Sequence, residues 1–169
     1  MLFTHNPTVA HLSVSPVLVD KASFHKFVKA QETAVYTFCF RLLGNPHLAE
    51  SAAQRAFLDV CSHFPAISLA DVLVAARRRC REQLGRGSGD GKETGVTDNQ
   101  YLFNSLALPE REVLALYYGC QLSLVEMATI LNCSIGSVRA DLLQARHHAI
   151  DVMQHLPTRQ PLILAKEIV

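Results

Sequence analysis

The sequence predicts an all-α protein with two small helical domains joined by a flexible Gly-rich linker. Apolar residues recur at helical spacing through residues 20–84, which is typical of amphipathic helices packed on one core. Five of the eight glycines then fall within GRGSGDGKETGVTDN, the composition of a flexible linker. Residues 109–148 carry the caps and the tight turn of a helix-turn-helix. We divide the chain into an N-terminal extension 1–19, a helical domain 20–84, a linker 85–99, a helix-turn-helix domain 100–155 and a C-terminal tail 156–169.

Three helices are predicted in the first domain, over residues 20–43, 46–64 and 68–84. Gly44 suits the end of the first helix, Asn45 the cap of the second and Pro46 its first residue. Ser68 and Asp71 are spaced as a capping box for the third helix.

Three helices are also predicted in the second domain, the first over residues 109–119. Ser123 and Glu126 form a capping box for the middle helix. Asn132 follows where a tight turn requires a left-handed residue, a conformation that asparagine tolerates. Ser134 caps the third helix, which is the candidate recognition helix and whose buried seam is Val138, Leu142 and Ala145.

Basic residues are concentrated on the third helix of the first domain, as Arg77, Arg78, Arg79, Arg81 and Arg86. A solvated helix end favours cations, but five arginines in ten residues exceed that need. We therefore predict contact with nucleic acid or with an acidic protein. The helix-turn-helix domain differs, because residues 100–155 hold three arginines, no lysine and five acids, a net charge of −2. A duplex-binding domain normally carries a basic face.

Several functional classes are excluded by composition and spacing. There is no Ser/His/Asp or paired-carboxylate arrangement, so no catalytic residues and no enzyme are predicted. The five cysteines are scattered without a C-x-x-C pair or Cys/His cluster, so we expect free thiols, no metal and no cofactor. No run of 18 apolar residues and no signal peptide occur, so we expect a cytoplasmic protein without a membrane segment.

The segment FCFRLLGNPHLAESAAQRAFLDV resembles the first block of extracytoplasmic-function (ECF) sigma factors of bacterial RNA polymerase. The matching positions are Leu43, Gly44, Ala49, Glu50, Gln54 and Phe57. The resemblance implies that this domain grips the polymerase clamp and opens promoter DNA. Glu50, Gln54 and Asp59 would then contact polymerase, and Arg77, Arg78, Arg79 and Arg81 would contact promoter DNA near the melted segment.

The segment LALPEREVLALYYGCQLSLVEMATILNCSIGSVRADLLQAR is similar to the C-terminal helix-turn-helix of the same family. The matching positions include Arg111, Leu116, Glu126, Ala128, Gly136, Val138, Leu142, Ala145 and Arg146. In the family this domain reads the more distant promoter element and touches the polymerase flap. The resemblance therefore assigns base contacts in the major groove to Ser137, Arg139, Ala140, Asp141 and Gln144.

The departures from the family pattern fall on the expected contact surfaces. Ser51 and Arg55 stand where the family has acids, and Arg78 replaces an asparagine. The chain has no tryptophan to help melt DNA, and Asp141 would repel phosphate. Two hypotheses follow. The first is a sigma factor that binds core RNA polymerase and promoter DNA and is regulated by an anti-sigma factor or another protein. The second is a sigma-like adaptor, or a subunit of another assembly, with little or no promoter reading.

Overall fold

The computed structural model describes residues 20–86 and 98–155, so the predicted extension 1–19, the linker segment 87–97 and the tail 156–169 lie outside the described residues. The described elements are α1 (Lys21–Leu43), α2 (Pro46–Val60), a 3₁₀ turn (Cys61–His63), α3 (Leu69–Gly85), α4 (Asp98–Ser105), α5 (Leu108–Leu114), a π-helical turn (Ala115–Gly119), α6 (Leu124–Leu131) and α7 (Ile135–Gln154). The described residues contain no strand, and the prediction of an all-α fold with a helix-turn-helix is confirmed. Within those ranges, no helix combines the length and the apolar character needed to cross a membrane.

The predicted capping residues of α2 and α3 take up their expected positions. The Asn45 side chain accepts a hydrogen bond from the Leu48 backbone N–H at 3.0 Å, with Pro46 in the first turn of α2. Ser68 and Asp71 form the predicted capping box of α3. Because these side chains satisfy backbone donors that have no partner within the helix, each stabilises the start that the sequence indicates.

Helix α1 is the element that both parts of the chain share. Val35, Phe38 and Leu42 are fully buried. α1 packs against α2 and α3 on one side and against α4, α5 and the π-helical turn on the other. The buried apolar residues of residues 20–86 and 98–155 consequently form one continuous core. That the two predicted domains fold as separate units stays a prediction.

Helix α4 was not predicted and begins inside the expected linker. Asp98 and Asn99 are helical, and Gly85 at the other end belongs to α3. Leu102 and Phe103 of α4 are buried in the shared core. The polar sequence DNQYLFNS therefore becomes helical through the burial of two adjacent side chains, a tertiary effect that outweighs its weak local preference.

The helix-turn-helix has the local geometry that its sequence predicts. The Glu126 carboxylate accepts from the Ser123 backbone N–H at 2.8 Å, and the Ser123 side chain caps the start of α6. Asn132 is left-handed with φ 54°, and Ser134 accepts from the Ser137 N–H at 3.0 Å. The preceding helix ends differently, because α5 continues into the π-helical turn up to Gly119 and the left-handed residue is Gln121, with φ 55°.

The glycine at the end of α1 has a left-handed backbone conformation and lies close to α4. Gly44 has φ +69°, and a Cβ atom there would lie 2.9 Å from Oδ1 of Asn104. Replacing Gly44 with Ala should lower the free energy of unfolding by about 1–2 kcal/mol, because an L-residue is strained in this region. Gly85→Ala is the matched control, since nothing lies within 4 Å of its added Cβ. Chemical denaturation should show Gly85→Ala as neutral or slightly stabilising, and equal losses in the two variants would contradict the assignment.

Candidate nucleic-acid interface

Helix α7 presents one polar face to solvent and buries the other. Val138, Leu142 and Ala145 are buried. The five residues for which base contacts are predicted all lie on the exposed side: Ser137, Arg139, Ala140, Asp141 and Gln144. Helical geometry therefore brings them together on one accessible face, and their role in reading bases stays a prediction.

Two further features of this face were not predicted. The Ser137 hydroxyl lies 2.9 Å from the Ser134 hydroxyl, so it belongs to the helix cap as well as to the exposed surface. Leu143 lies on the same side and is 54% exposed. The face is consequently mixed, with one cation, one carboxylate and an apolar side chain along it.

The arginines of α3 divide into two pairs that point towards different helices. Arg81 donates from Nε and Nη2 to the two carboxylate oxygens of Glu112 at 2.7 and 2.9 Å. Arg77 donates from Nε to Glu112 Oε2 at 3.0 Å. This first pair therefore reaches across to α5, and the hydrogen bonds that Arg81 donates to Glu112 raise the pKa of Arg81.

The second pair points towards α2. Arg79 donates to both oxygens of Asp59 at 2.8 and 2.6 Å and also to Glu82 at 3.0 Å. Arg78 donates to Asp59 at 2.9 Å. The hydrogen bond from Arg79 is the main reason why the pKa of Asp59 lies below its usual value. Each of the four arginines for which DNA contacts are predicted thus has a carboxylate partner.

The residues for which polymerase contacts are predicted do not share one environment. Glu50 and Gln54 lie on an exposed face of α2, with Gln54 Nε2 donating to Glu50 at 3.2 Å. Asp59 instead faces α3 and binds Arg78 and Arg79. The exposed row continues at Leu58, which is 66% exposed and was missed. Its spacing of four residues from Gln54 is the sequence signal that could have identified it.

Glu112 is the second residue that sequence reasoning missed. The residue as a whole is only 1% exposed, although its side chain carries a charge. The local sequence gave no signal for its partners, because Arg77 and Arg81 precede it by 35 and 31 residues. A buried carboxylate is stable only when charged or polar donors surround it, and two guanidinium groups provide them here.

Arg111, one of the family positions, joins α1 to the connection between α4 and α5. Its guanidinium donates to three backbone carbonyls: to Leu106 at 2.9 Å, to Asn104 at 3.0 Å and to Leu42 at 3.1 Å. Burial lowers the pKa of Arg111. These carbonyls lie at helix ends, where the helix itself supplies no donor. Arg111 therefore has a structural position, away from the exposed face of α7.

The π-helical turn positions two tyrosines against the recognition helix. Arg146 donates from Nε to the Tyr118 hydroxyl at 2.6 Å. Its guanidinium lies 5.6 Å from the ring centroid of Tyr117 and 5.5 Å from that of Tyr118. These cation–π and hydrogen-bond contacts hold α7 against the π-helical turn, at the edge of its exposed face.

The cysteines show no metal-site geometry. All five are free, and Cys39 and Cys80 are buried. A hydrogen bond with Cys39, together with burial, raises the pKa of Cys80. In the part of the chain that the structure describes, no group of three or more metal-ligating side chains is present.

The Glu112 contacts generate a stability prediction. Replacing both Arg77 and Arg81 with Ala leaves a buried carboxylate without a cation, which should lower the free energy of unfolding by roughly 3–5 kcal/mol. Adding Glu112→Gln to that double variant should restore part of the loss, because a neutral amide costs less to bury than an unpaired carboxylate. Urea denaturation followed by circular dichroism measures both effects. A triple variant no more stable than the double variant would show that the carboxylate charge is not the cause.

Comparison with known proteins gives one family match and one similar curated protein. Residues 100–148 match the model of sigma-70, region 4. The ECF RNA polymerase sigma factor SigW of Bacillus subtilis (strain 168) is 22% identical over 162 residues, covering 75% of this chain and 87% of SigW.

Two solved structures share the fold. The sigma factor RpoE, in complex with the anti-sigma factor NepR from Bartonella quintana, has a TM-score of 0.65 at 18% identity, covering 79% of this chain and 98% of RpoE. CnrH, in complex with the cytosolic domain of CnrY, has a TM-score of 0.66 at 14% identity, covering 80% of this chain and 90% of CnrH.

The family match falls on the helix-turn-helix that the geometry describes, from α4 to the exposed face of α7. SigW extends the sequence likeness over three quarters of the chain. The resemblance noted from the sequence is confirmed: residues 100–148 match sigma-70, region 4, and the chain is similar in sequence to an ECF sigma factor and in fold to two sigma-factor structures.

Proposed function

We propose that this chain is a non-catalytic, cytoplasmic initiation factor that directs core RNA polymerase to selected promoters. The observation that carries the proposal is the exposed polar face of α7 on a fully formed helix-turn-helix. A helix presented in this way fits the major groove of DNA, where base edges are distinguishable. The family supports the same conclusion, since its members act in transcription initiation.

Specific reading would depend on a few side chains near the start of α7. Arg139 can donate to the acceptors of a guanine, and Asp141 can accept from the amino group of a cytosine. Ala140 between them can contact a thymine methyl group. Because residues 100–155 carry a net charge of −2, phosphate attraction from this domain is weak, and base contacts must carry a larger share of the affinity.

Contact with polymerase is proposed for the exposed row Glu50, Gln54 and Leu58 on α2. This row combines a carboxylate, an amide and a well-exposed apolar side chain, a mixture suited to a protein surface. Asp59, predicted from the sequence for the same role, would have to leave Arg78 and Arg79 first.

Regulation by another protein is also part of the proposal. RpoE and CnrH were both solved in complexes, one with an anti-sigma factor and one with the cytosolic domain of CnrY. We propose that a protein of the anti-sigma kind likewise binds this chain.

The direct test is initiation by reconstituted polymerase. The purified chain should co-elute with core RNA polymerase and support initiation on promoters selected from a random library. Core polymerase without the chain is the control. Failure to co-elute, together with no initiation on any template, would overturn the proposal and favour the second candidate, an adaptor for other proteins. The 54% exposed Leu143 in the middle of the α7 face is the observation that favours that candidate.

A second prediction concerns the base preference of Asp141. Replacing Asp141 with Asn should relax the preference at a single base pair by roughly 1–3 kcal/mol, since the carboxylate accepts from a cytosine and an amide does not discriminate in the same way. Asp151→Asn is the matched control, because Asp151 is exposed on the same helix and loses the same charge.

The measurement is selection from random duplexes with the polymerase present and absent, followed by affinities for single-base variants of the selected site. Asp151→Asn should select the same site as the original chain. An Asp141→Asn variant with an unchanged site would show that Asp141 does not read a base.

A further inference from the structure

The carboxylate of Glu112 binds the guanidinium groups of Arg77 and Arg81, two of the four arginines for which contact with promoter DNA is predicted from the sequence. Arg81 presents two N–H groups to its two oxygens, and Arg77 presents a third N–H. A phosphate is bound by arginine through the same parallel N–H groups. Glu112 therefore stands where a phosphate oxygen of a bound strand would stand.

We propose that Glu112 is an internal competitor of nucleic acid on α3, so that single-stranded DNA binds Arg77 and Arg81 only when Glu112 is released. The proposal rests on the proposed function, because it assumes that the chain acts on promoter DNA, with the α3 contact that the sequence predicts. It adds the control of that contact by the helix-turn-helix half of the same chain. In this structure, where Glu112 binds both arginines, the affinity of α3 for DNA is therefore lowered.

Competition between Glu112 and DNA is possible because the carboxylate is buried while the two arginines that bind it are partly exposed. The Glu112 side chain is 2% exposed, whereas those of Arg77 and Arg81 are 25% and 46% exposed. The guanidinium groups are therefore accessible to a strand, but turning them outward would leave a carboxylate buried without its cations. DNA binding must therefore either be weakened by the free energy of an unpaired buried carboxylate or move α5 so that Glu112 reaches water.

The two sides of α5 are held by different kinds of contact. Towards α1, Arg111 donates to the neutral carbonyl of Leu42. Towards α3, the contact is an ion pair centred on Glu112. A polyanion such as DNA competes with Glu112 for the arginines of the ion pair. It has no comparable effect on the hydrogen bond between Arg111 and the Leu42 carbonyl. The α3 side of α5 is thus the part of the interface that nucleic acid can open.

Thermodynamic linkage makes the coupling reciprocal. If release of Glu112 favours DNA binding, DNA binding must favour release of Glu112 to the same extent. Binding of polymerase or of a regulator that holds α3 and α5 apart would therefore raise the affinity of α3 for DNA, and one that holds them together would lower it.

The test compares Glu112→Gln with Glu110→Gln. Both variants lose one negative charge from α5, but Glu110 lies against His148 of α7 at 3.0 Å, whereas Arg77 and Arg81 of α3 bind Glu112. Binding to a 20-nucleotide thymidine strand is measured by fluorescence anisotropy at several salt concentrations.

Glu112→Gln should bind on the order of tenfold more tightly than Glu110→Gln, the size of a typical coupling between two sites. Its salt dependence should steepen by about 1.4, since each phosphate contact on a single strand contributes about 0.7. Equal affinities and slopes in the two variants would overturn the proposal, as would the absence of strand binding in both.

A measurement on the unaltered chain covers the case in which Glu112→Gln does not fold. Amide hydrogen exchange of residues Leu108–Leu114 should become faster when the thymidine strand is added, because α5 loses its charged contact with α3. Unchanged or slower exchange at saturating strand would overturn the competition. Initiation with core polymerase tests the proposed function separately: a chain that initiates normally while Glu112→Gln and Glu110→Gln bind the strand equally would retain the function and lose this inference.

Discussion

The buried carboxylate of Glu112 is the constraint on which the relation between the two halves of the chain depends. A charge with 1% exposure must be matched by cations, and these come from α3, in the other half. The requirement fixes which side of α3 faces α5, because Arg77 and Arg81 are one helical turn apart. It also leaves Arg78 and Arg79 on the side of α2, where Asp59 receives them. Two carboxylates, Glu112 on α5 and Asp59 on α2, thereby divide these four arginines of α3 between them.

Around this ion pair, α1 supplies the apolar surface that both halves share. Phe38 and Leu42 are buried within the common core, and Arg111 binds the carbonyl of Leu42 at the end of the helix. Gly44 then turns the chain at a point where a side chain would meet Asn104 of α4. The end of α1 is consequently a junction where the backbone conformation of Gly44, the half-buried guanidinium of Arg111 and the neighbouring helix α4 depend on each other.

The sequence was informative wherever the cause of structure is local. Caps such as Ser68 and Ser123, and the left-handed Asn132, depend on neighbours three or four residues away, and they lie where spacing predicts. Glu112 could not be found in this way, because its partners are more than thirty residues distant. For the same reason, the sequence suggested only DNA or another protein as the partner of the α3 arginines. Their partners within the chain are carboxylates on α2 and α5, which are distant in sequence. Helix α4 was missed because its eight residues become helical through tertiary burial of Leu102 and Phe103.

The π-helical turn at Ala115–Gly119 has a consequence for how the recognition helix is aimed. Its backbone bond from the Cys120 N–H to the Ala115 carbonyl encloses one residue more than an α-helical turn. That extra residue changes the angular phase of everything that follows it by about 100°, the rotation per residue of an α-helix. Tyr117 and Tyr118, within this turn, both contact Arg146 of α7. The π-helical turn therefore sets how the chain that follows it is rotated relative to the core, and so helps to set the direction in which the exposed side of α7 points.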